Sequence, residues 1–190
     1  MTVTTTEQKS SATEEKAEPK KRKDRPPLES VIGSIAAAFE KKLSAGDIAQ
    51  LRRMDPFTPS CPAYWRIMSL YVTSVGYVPV AEGPRIMVEN QWAAILAAMA
   101  KAATVKGFHN PRRRAGHALA EMGYKEARFS RLMRSVDEGL PDILRTTAMY
   151  LAQKGESCNW TEFARLVLYQ RGDFADIVRR RISRDYYSRL

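Results

Sequence analysis

The sequence predicts an all-α fold in which two small helical bundles pack together, preceded by a disordered N-terminal tail. From residue 28 onward, apolar residues recur at helical spacing, and no run alternates with the two-residue period of a strand. Breaks rich in glycine, proline and asparagine divide this pattern into segments of helical length. Residues 1–27 are polar and poor in aromatic residues, so they bury too little apolar surface to offset the entropy cost of ordering.

In the first half of the chain, four helices are predicted between breaks that contain glycine or proline. The Gly46-Asp47 pair separates the first two helices, and Pro56 and Pro59 follow the second. Residues 76–84 lead to an alanine-rich fourth helix, whose small side chains allow close packing against other helices. The four helices are expected at residues 29–43, 48–54, 62–75 and 88–104.

In the second half, a break at 106–114 is predicted to separate two domains, residues 28–105 and 106–190. Gly123 suits the residue after a helix, and Pro141 suits the first turn of a later one. Asn159 and Glu162 have the spacing of a capping pair. The helices here are expected at residues 115–122, 125–136, 141–154, 159–170 and 174–187.

The chain is strongly basic, with a formal net charge of +10 and an isoelectric point near 9.8. Residues 1–30 hold seven Lys and Arg against six Asp and Glu, so the remaining residues carry +9 of that charge. The positive field therefore belongs to the part of the chain that is predicted to fold. A polyanion such as nucleic acid is the usual partner of such a surface.

The predicted helix at 125–136 concentrates this charge on one face. Four apolar residues at i, i+3, i+4 and i+7 form one stripe, and three arginines lie on the opposite side. Residues three apart rise about 4.5 Å along a helix, a scale similar to the spacing of phosphates, and a guanidinium can bind phosphate through two hydrogen bonds. The stripe is Phe129, Leu132, Met133 and Val136, and the arginines are Arg128, Arg131 and Arg134.

Other basic clusters support the same interpretation. Between residues 106 and 134 there are eight basic residues and two acidic ones, and three adjacent arginines open the helix at 115–122. Clustered like charge costs self-repulsion, which a merely solvated surface would avoid. The cluster at 179–181 also lies near a helix end where cations are favourable, so a capping role and a contact role are equally open. The further predicted contacts are Arg52, Arg53, Lys106, Arg112, Arg113 and Arg114.

The sequence lacks the patterns of the enzyme classes that act on nucleic acids or small substrates. Its carboxylates are scattered, and neither His109 nor His117 has a metal ligand at suitable spacing. There is no phosphate-binding loop and no nucleophile elbow. We therefore predict no catalysis, no metal and no cofactor. Two well-separated cysteines and the lack of an apolar stretch of membrane length favour a cytoplasmic protein with no membrane contact.

Several motifs, taken in order, carry a resemblance to a known family. They are GDIAQLRRM at 46–54, PAYWRIM at 62–68, RRRAGHALAEMG at 112–123, EARFSRLMR at 126–134, LR at 144–145, NWTEFARLV at 159–167 and RDYY at 184–187. Together they resemble the CasB family, the small subunit of the type I-E CRISPR Cascade effector complex. The resemblance covers roughly residues 28–190.

This resemblance implies a non-catalytic helical protein that sits in the complex beside a second copy of itself and other Cascade subunits. It also implies contact with the hybrid of crRNA and target DNA and with the displaced DNA strand. By motif match, Arg53, Arg128, Arg131, Arg134 and Arg145 fall in the family's basic regions. The sequence departs from the family at residues 137–138, which are acidic where relatives can be basic, and in the tail before residue 28, which has no family counterpart.

Three alternatives stay open at the level of sequence. A helix-turn-helix regulator would need Asn, Gln or Ser among its arginines to read bases, and the helix at 125–136 offers only Ser130 and Ser135. A small nuclease would show metal-dependent cleavage. A pure assembly protein would associate independently of salt.

Overall fold

The computed structural model describes residues 25–190, and these residues form α-helices without a β-strand. The all-α class is therefore confirmed for the described range. The predicted tail at 1–27 lies outside it, except for residues 25–27. The helices are α1 (Leu28–Lys41), α2 (Ala45–Arg53), α3 (Pro62–Ile67), α4 (Glu82–Ala102), α5 (Ala115–Glu121), α6 (Glu126–Arg134), α7 (Gly139–Gln153), α8 (Trp160–Leu168) and α9 (Asp173–Tyr187), and a π-helical segment, Met68–Thr73, continues α3.

The start of α2 corrects the break that the sequence suggested at Gly46-Asp47. Ser44 caps the helix, because its hydroxyl accepts the backbone N–H of Asp47 at 3.1 Å. The Asp47 carboxylate in turn accepts the backbone N–H of Ser44 at 3.1 Å. This reciprocal capping box holds Gly46 inside the first turn, so the helix begins three residues earlier than predicted.

The fourth helix is also longer than predicted, since α4 begins at Glu82 instead of residue 88. Pro84 lies in its first turn, where the backbone lacks an acceptor for an N–H, so proline is tolerated there. The middle of α4 is buried on all sides, from Trp92 to Ala100. Its alanines allow α2, α7 and α8 to pack closely around it, which makes α4 the central helix of the fold.

The predicted capping pair at α8 is half right. The Asn159 side chain accepts the backbone N–H of Thr161 at 3.1 Å and caps the helix. Glu162 does not return a bond to Asn159. Its buried carboxylate instead accepts the backbone N–H of Ala115 at 2.7 Å and the guanidinium of Arg181 at 2.9 Å. Glu162 therefore ties the beginning of α5 to α8 and α9.

The segment at 103–114, where the domain boundary is predicted, connects α4 to α5. Its residues pair with the link between α7 and α8, because Asn110 N–H donates to Cys158 O at 2.9 Å and Cys158 N–H donates to Phe108 O at 3.0 Å. The apolar core includes residues from both sides of residue 105, and α4 packs extensively on α7. The division into domains at 28–105 and 106–190 stays a prediction.

Candidate nucleic-acid interface

Helix α6 is held to the core by a narrow apolar face. Phe129 is 1% exposed, and its ring stacks on Tyr186 of α9 with centroids 3.8 Å apart. Leu132 and Met133 are buried beside it, whereas Val136, the fourth residue of the predicted stripe, lies beyond the end of α6. The amphipathic pattern of the sequence therefore fixes which face of α6 points away from the core.

The outward face of α6 carries three unneutralised arginines. Arg128, Arg131 and Arg134 are exposed, and none forms an ion pair with any residue in the range 25–190. Arg134 Nε donates only to the carbonyl of Ser130 on its own helix, at 3.3 Å. The carboxylate of Glu126 accepts the hydroxyl of Tyr187 at 2.9 Å. We call Arg128, Arg131 and Arg134 the α6 arginines.

The three adjacent arginines before α5 differ in whether a carboxylate of the chain binds them. Arg112 is exposed and has no ion pair with a described residue. Arg113 binds two carboxylates, Glu121 at 2.7 Å and Glu156 at 2.8 Å. Arg114 binds Asp185, which is buried, at 2.8 Å. The triplet therefore offers one free guanidinium, and its other two guanidiniums join α5 to its neighbours.

The ion pairs of Arg113 shift two pKa values, that of Arg113 itself and that of Glu121. Desolvation by burial lowers the pKa of Arg113, but the hydrogen bonds that Arg113 donates to Glu156 and Glu121 outweigh it, so the pKa lies above its ordinary value. The hydrogen bond from Arg113 holds the pKa of Glu121 below its ordinary value. The Arg113 cluster is thus stable in its charged form.

A second basic group forms where α2, α4 and α7 meet. Arg52 Nε donates to the carbonyl of Ala100 near the end of α4, at 2.7 Å. Burial lowers the pKa of the neighbouring Lys101, and the positive charges of Arg145 and Arg52 lower it further. The guanidinium of Arg145 lies 3.9 Å from the carboxylate of Asp142, and the Asp142 side chain is 87% exposed. We call Arg52, Lys101 and Arg145 the basic trio.

Comparison with known proteins assigns the chain to a family. A family model described as CRISPR-associated protein Cse2 matches residues 47–187. The chain belongs to this Cse2 family. The resemblance to CasB proteins is thereby confirmed, and an independent helix-turn-helix regulator is not supported. The match begins within α2, so α1 lies outside it.

Two solved structures share the fold of this Cse2-family chain. A chain in the crystal structure of E. coli Cascade bound to a PAM-containing dsDNA target is similar with a TM-score of 0.60 and 19% identity, covering 82% of this chain and 93% of that one. M. ruber CasB is similar with a TM-score of 0.62 and 18% identity, covering 85% of this chain and 93% of that one. At this identity the likeness concerns the fold. No curated protein sequence gives a significant match.

The structure adds Lys101 to the basic residues that sequence reasoning selected in this Cse2-family chain. In sequence, Lys101 is a single lysine at the end of an alanine-rich helix, where a cation is favourable for structural reasons alone. Only the packing of α2 and α7 on α4 brings Arg52 and Arg145 close to it. The remaining predicted contacts, Arg53 and Lys106, are exposed and have no ion pair within residues 25–190.

Two further properties concern the same described range. No group of three or more His, Cys, Asp or Glu side chains in it could hold a metal ion. None of its helices combines the length and the apolar character needed to cross a bilayer.

Proposed function

We propose that this Cse2-family chain is a non-catalytic, cytoplasmic subunit of a crRNA-guided type I-E Cascade complex, where it holds sugar-phosphate backbones and so stabilises the R-loop. The observation that carries this proposal is the outward face of α6, with its three arginines free of carboxylates. The bound strands are the guide–target hybrid and the displaced DNA strand. Other Cascade subunits and a second copy of the chain are its proposed protein partners.

The energetics of guided recognition make such contacts effective. The hybrid that forms is about as stable as the duplex that it replaces, so a few backbone contacts can shift the equilibrium. Each phosphate that a protein neutralises releases counterions and adds affinity without reading sequence.

The polar residues on α6 support backbone binding over base reading. Ser135 lies just after the helix, and its hydroxyl donates to the carbonyl of Arg131 at 2.7 Å. Ser130 is half-buried. The face thus presents guanidiniums to a strand, with little of the Asn, Gln or Ser chemistry that reads base edges.

We propose that the phosphate contacts are the predicted residues that no close ion pair holds, together with Lys101. Arg145 is included because its one carboxylate partner, Asp142, lies 3.9 Å away and is 87% exposed. Arg113 and Arg114 would have to leave their carboxylates to bind a phosphate, so we assign them to the fold. The proposed contacts are Arg52, Arg53, Lys101, Lys106, Arg112, Arg128, Arg131, Arg134 and Arg145.

The test is the lifetime of the R-loop formed by the reconstituted complex. The double variant R131E/R134E should shorten this lifetime at physiological salt, because two attractive charges become repulsive. The double variant K41E/K154E is the control, since it changes the net charge equally at exposed lysines that have no ion pair with a described residue and lie outside the proposed contacts. An R131E/R134E complex that keeps the wild-type lifetime would show that α6 does not hold the strands.

A further inference from the structure

Three adjacent arginines in the middle of α9 differ in their contacts. Arg179 Nε donates to a backbone carbonyl of α6 at 2.9 Å. Arg181 pairs with the buried carboxylate of Glu162 at 2.9 Å. Arg180 is exposed and has no ion pair with any residue in the range 25–190. Because α9 continues for about two further turns, a capping effect at the helix end does not account for Arg180.

Arg180 begins a row of exposed residues along α9. Arg184 follows it by four residues and Tyr187 by seven, the spacing that places residues on one face of a helix. Arg184 is exposed and has no ion pair with a described residue, and Tyr187 is 49% exposed. The two arginines are about 6 Å apart along the helix axis, a scale similar to the spacing of phosphates. We call Arg180, Arg184 and Tyr187 the α9 stripe.

The α9 stripe lies beside the helix that carries the α6 arginines. The last turn of α6 contacts the middle of α9, where Arg179 reaches the carbonyl of Met133. The first turn of α6 contacts the end of α9, where the Tyr187 hydroxyl donates to the carboxylate of Glu126 at 2.9 Å. The two helices therefore run antiparallel. Their exposed arginines form neighbouring rows, and Tyr187 stands where the α9 row meets α6.

The ring of Tyr187 is fixed on one side by the core. Phe129 and Tyr186 stack on each other at 3.8 Å, and both are perpendicular to the Tyr187 ring, with centroids 6.0 Å and 5.3 Å from it. Two parallel rings so close to each other must pack against the same side of the third. The exposed half of Tyr187 is therefore the side away from the core. The hydrogen bond to Glu126 raises the pKa of Tyr187, so its hydroxyl stays protonated and adds no negative charge.

A fixed, exposed aromatic ring beside free arginines suits an unpaired strand. Arginines hold the phosphates of such a strand, and a base stacks on the ring whatever its sequence. In a duplex or a guide–target hybrid, neighbouring base pairs already cover the faces of each base, so no base is free to stack on Tyr187. The unpaired strand of an R-loop is the displaced DNA strand. The second row of arginines on α6 favours this long polyanion over an acidic peptide.

We propose that the α9 stripe binds the displaced DNA strand, with Arg180 and Arg184 on its phosphates and one unpaired base stacked on Tyr187. This inference rests on the proposed R-loop function and deepens it, because it assigns the displaced strand to a surface of its own. Stacking on Tyr187 gives the chain a preference for unpaired strands, which arginines alone do not provide.

The first test compares the affinity of the full chain for oligothymidylate and for an abasic strand of equal length, which keeps the phosphates and lacks the bases. Wild type should bind oligothymidylate about tenfold more tightly. Tyr187→Leu should remove this preference and leave the affinity for the abasic strand unchanged, whereas Tyr187→Phe should retain the preference because the ring remains. Trp65→Leu, at an exposed aromatic residue on α3, is the matched control and should also retain it.

Two outcomes of this comparison would overturn the stacking role. One is a Tyr187→Leu variant that keeps the wild-type preference for oligothymidylate. The other is an equal loss of affinity for both strands, since that marks damage to α9 instead of a lost base contact. The arginines are tested by R180M/R184M, which should reduce the magnitude of the slope of log affinity against log salt concentration by about 1.4. An unchanged slope would remove both from the contacts.

The second test locates the strand within the reconstituted complex. 5-Iodouracil replaces single thymines of the displaced strand or, as the matched control, of the target strand, and the R-loop is irradiated. The displaced strand should cross-link to Tyr187, and the target strand should not. A cross-link from the target strand alone, or from no position of the displaced strand, would overturn the proposal. A benzophenone amino acid in place of Tyr187 that captured a protein subunit instead of DNA would overturn it too.

Failure of this inference differs from failure of the proposed function. If only the inference fails, R131E/R134E still shortens the lifetime of the R-loop, while Tyr187 gives no cross-link to the displaced strand. If the proposed strand-binding role of α6 fails, R131E/R134E keeps the wild-type lifetime whatever the result at Tyr187.

Discussion

Arg113 and Arg112 are adjacent in sequence, and the structure predicts opposite consequences for their replacement by methionine. The Arg113 side chain is 24% exposed and bonds Glu156, which is 19% exposed, at 2.8 Å. A hydrogen bond between charged groups contributes about 2 kcal/mol, and its loss here leaves a half-buried carboxylate without a partner. Arg113→Met should therefore lower the melting temperature by roughly 4–8 °C. Arg112→Met should change stability by less than about 0.5 kcal/mol, because Arg112 is exposed and unpaired.

Thermal unfolding followed by circular dichroism, together with single-strand binding at 25 °C, separates the two roles. Arg113→Met should lose stability and keep its strand affinity, whereas Arg112→Met should keep stability and bind strands more weakly. The stability gap between wild type and R113M also depends on pH. Because Arg113 lowers the pKa of Glu121 from its ordinary 4.5, the contribution is complete above pH 4.5 and is lost as the pH falls further. An R113M protein as stable as wild type at pH 7 would refute this reasoning.

Three other changes test particular contacts. A Cβ added at Gly116 would lie 2.7 Å from the backbone nitrogen of Tyr186, so Gly116→Ala should force α5 and α9 apart and cost about 1–3 kcal/mol in chemical denaturation, whereas Gly46→Ala should not destabilise. Burial lowers the pKa of His109 from 6.5, so stability should fall as the pH drops below 6.5, and His109→Asn should reduce that dependence in melting curves. Lys101→Met should weaken single-strand binding and reduce the magnitude of the slope of log affinity against log salt concentration by about 0.7. An unchanged slope would exclude Lys101 from the contacts.

The sequence predicts helix faces and helix caps correctly where residues close in sequence determine them. The 3.6-residue period of α6 identified its buried stripe and its outward arginines, and Asn159 was recognised as a cap. Adjacent arginines in a triplet look alike in sequence, and their different roles arise because Glu156 and Asp185 arrive from distant helices. The same holds for Glu162, whose partners lie on α5 and α9.

The sequence does not predict sites whose residues come from several helices that are distant in sequence. Lys101 became a candidate only through the packing of α2 and α7 on α4. A groove between α4 and the links before α3, α7 and α9 could not be predicted from the sequence, because its lining comes from four separate parts of the chain. The early start of α2 does have a local signal, because Ser44 and Asp47 have the spacing of a capping box. The prediction instead gave more weight to Gly46 as a helix break.

The central claim is that the α6 arginines bind phosphates. Its most direct test is the slope of log affinity against log salt concentration for single-stranded DNA, compared between wild type and R131A/R134A. Loss of two phosphate contacts should reduce the magnitude of this slope by about 1.4, with melting temperature unchanged because both side chains are exposed. A double variant with the wild-type slope would contradict the claim, since its arginines would then release no counterions on binding.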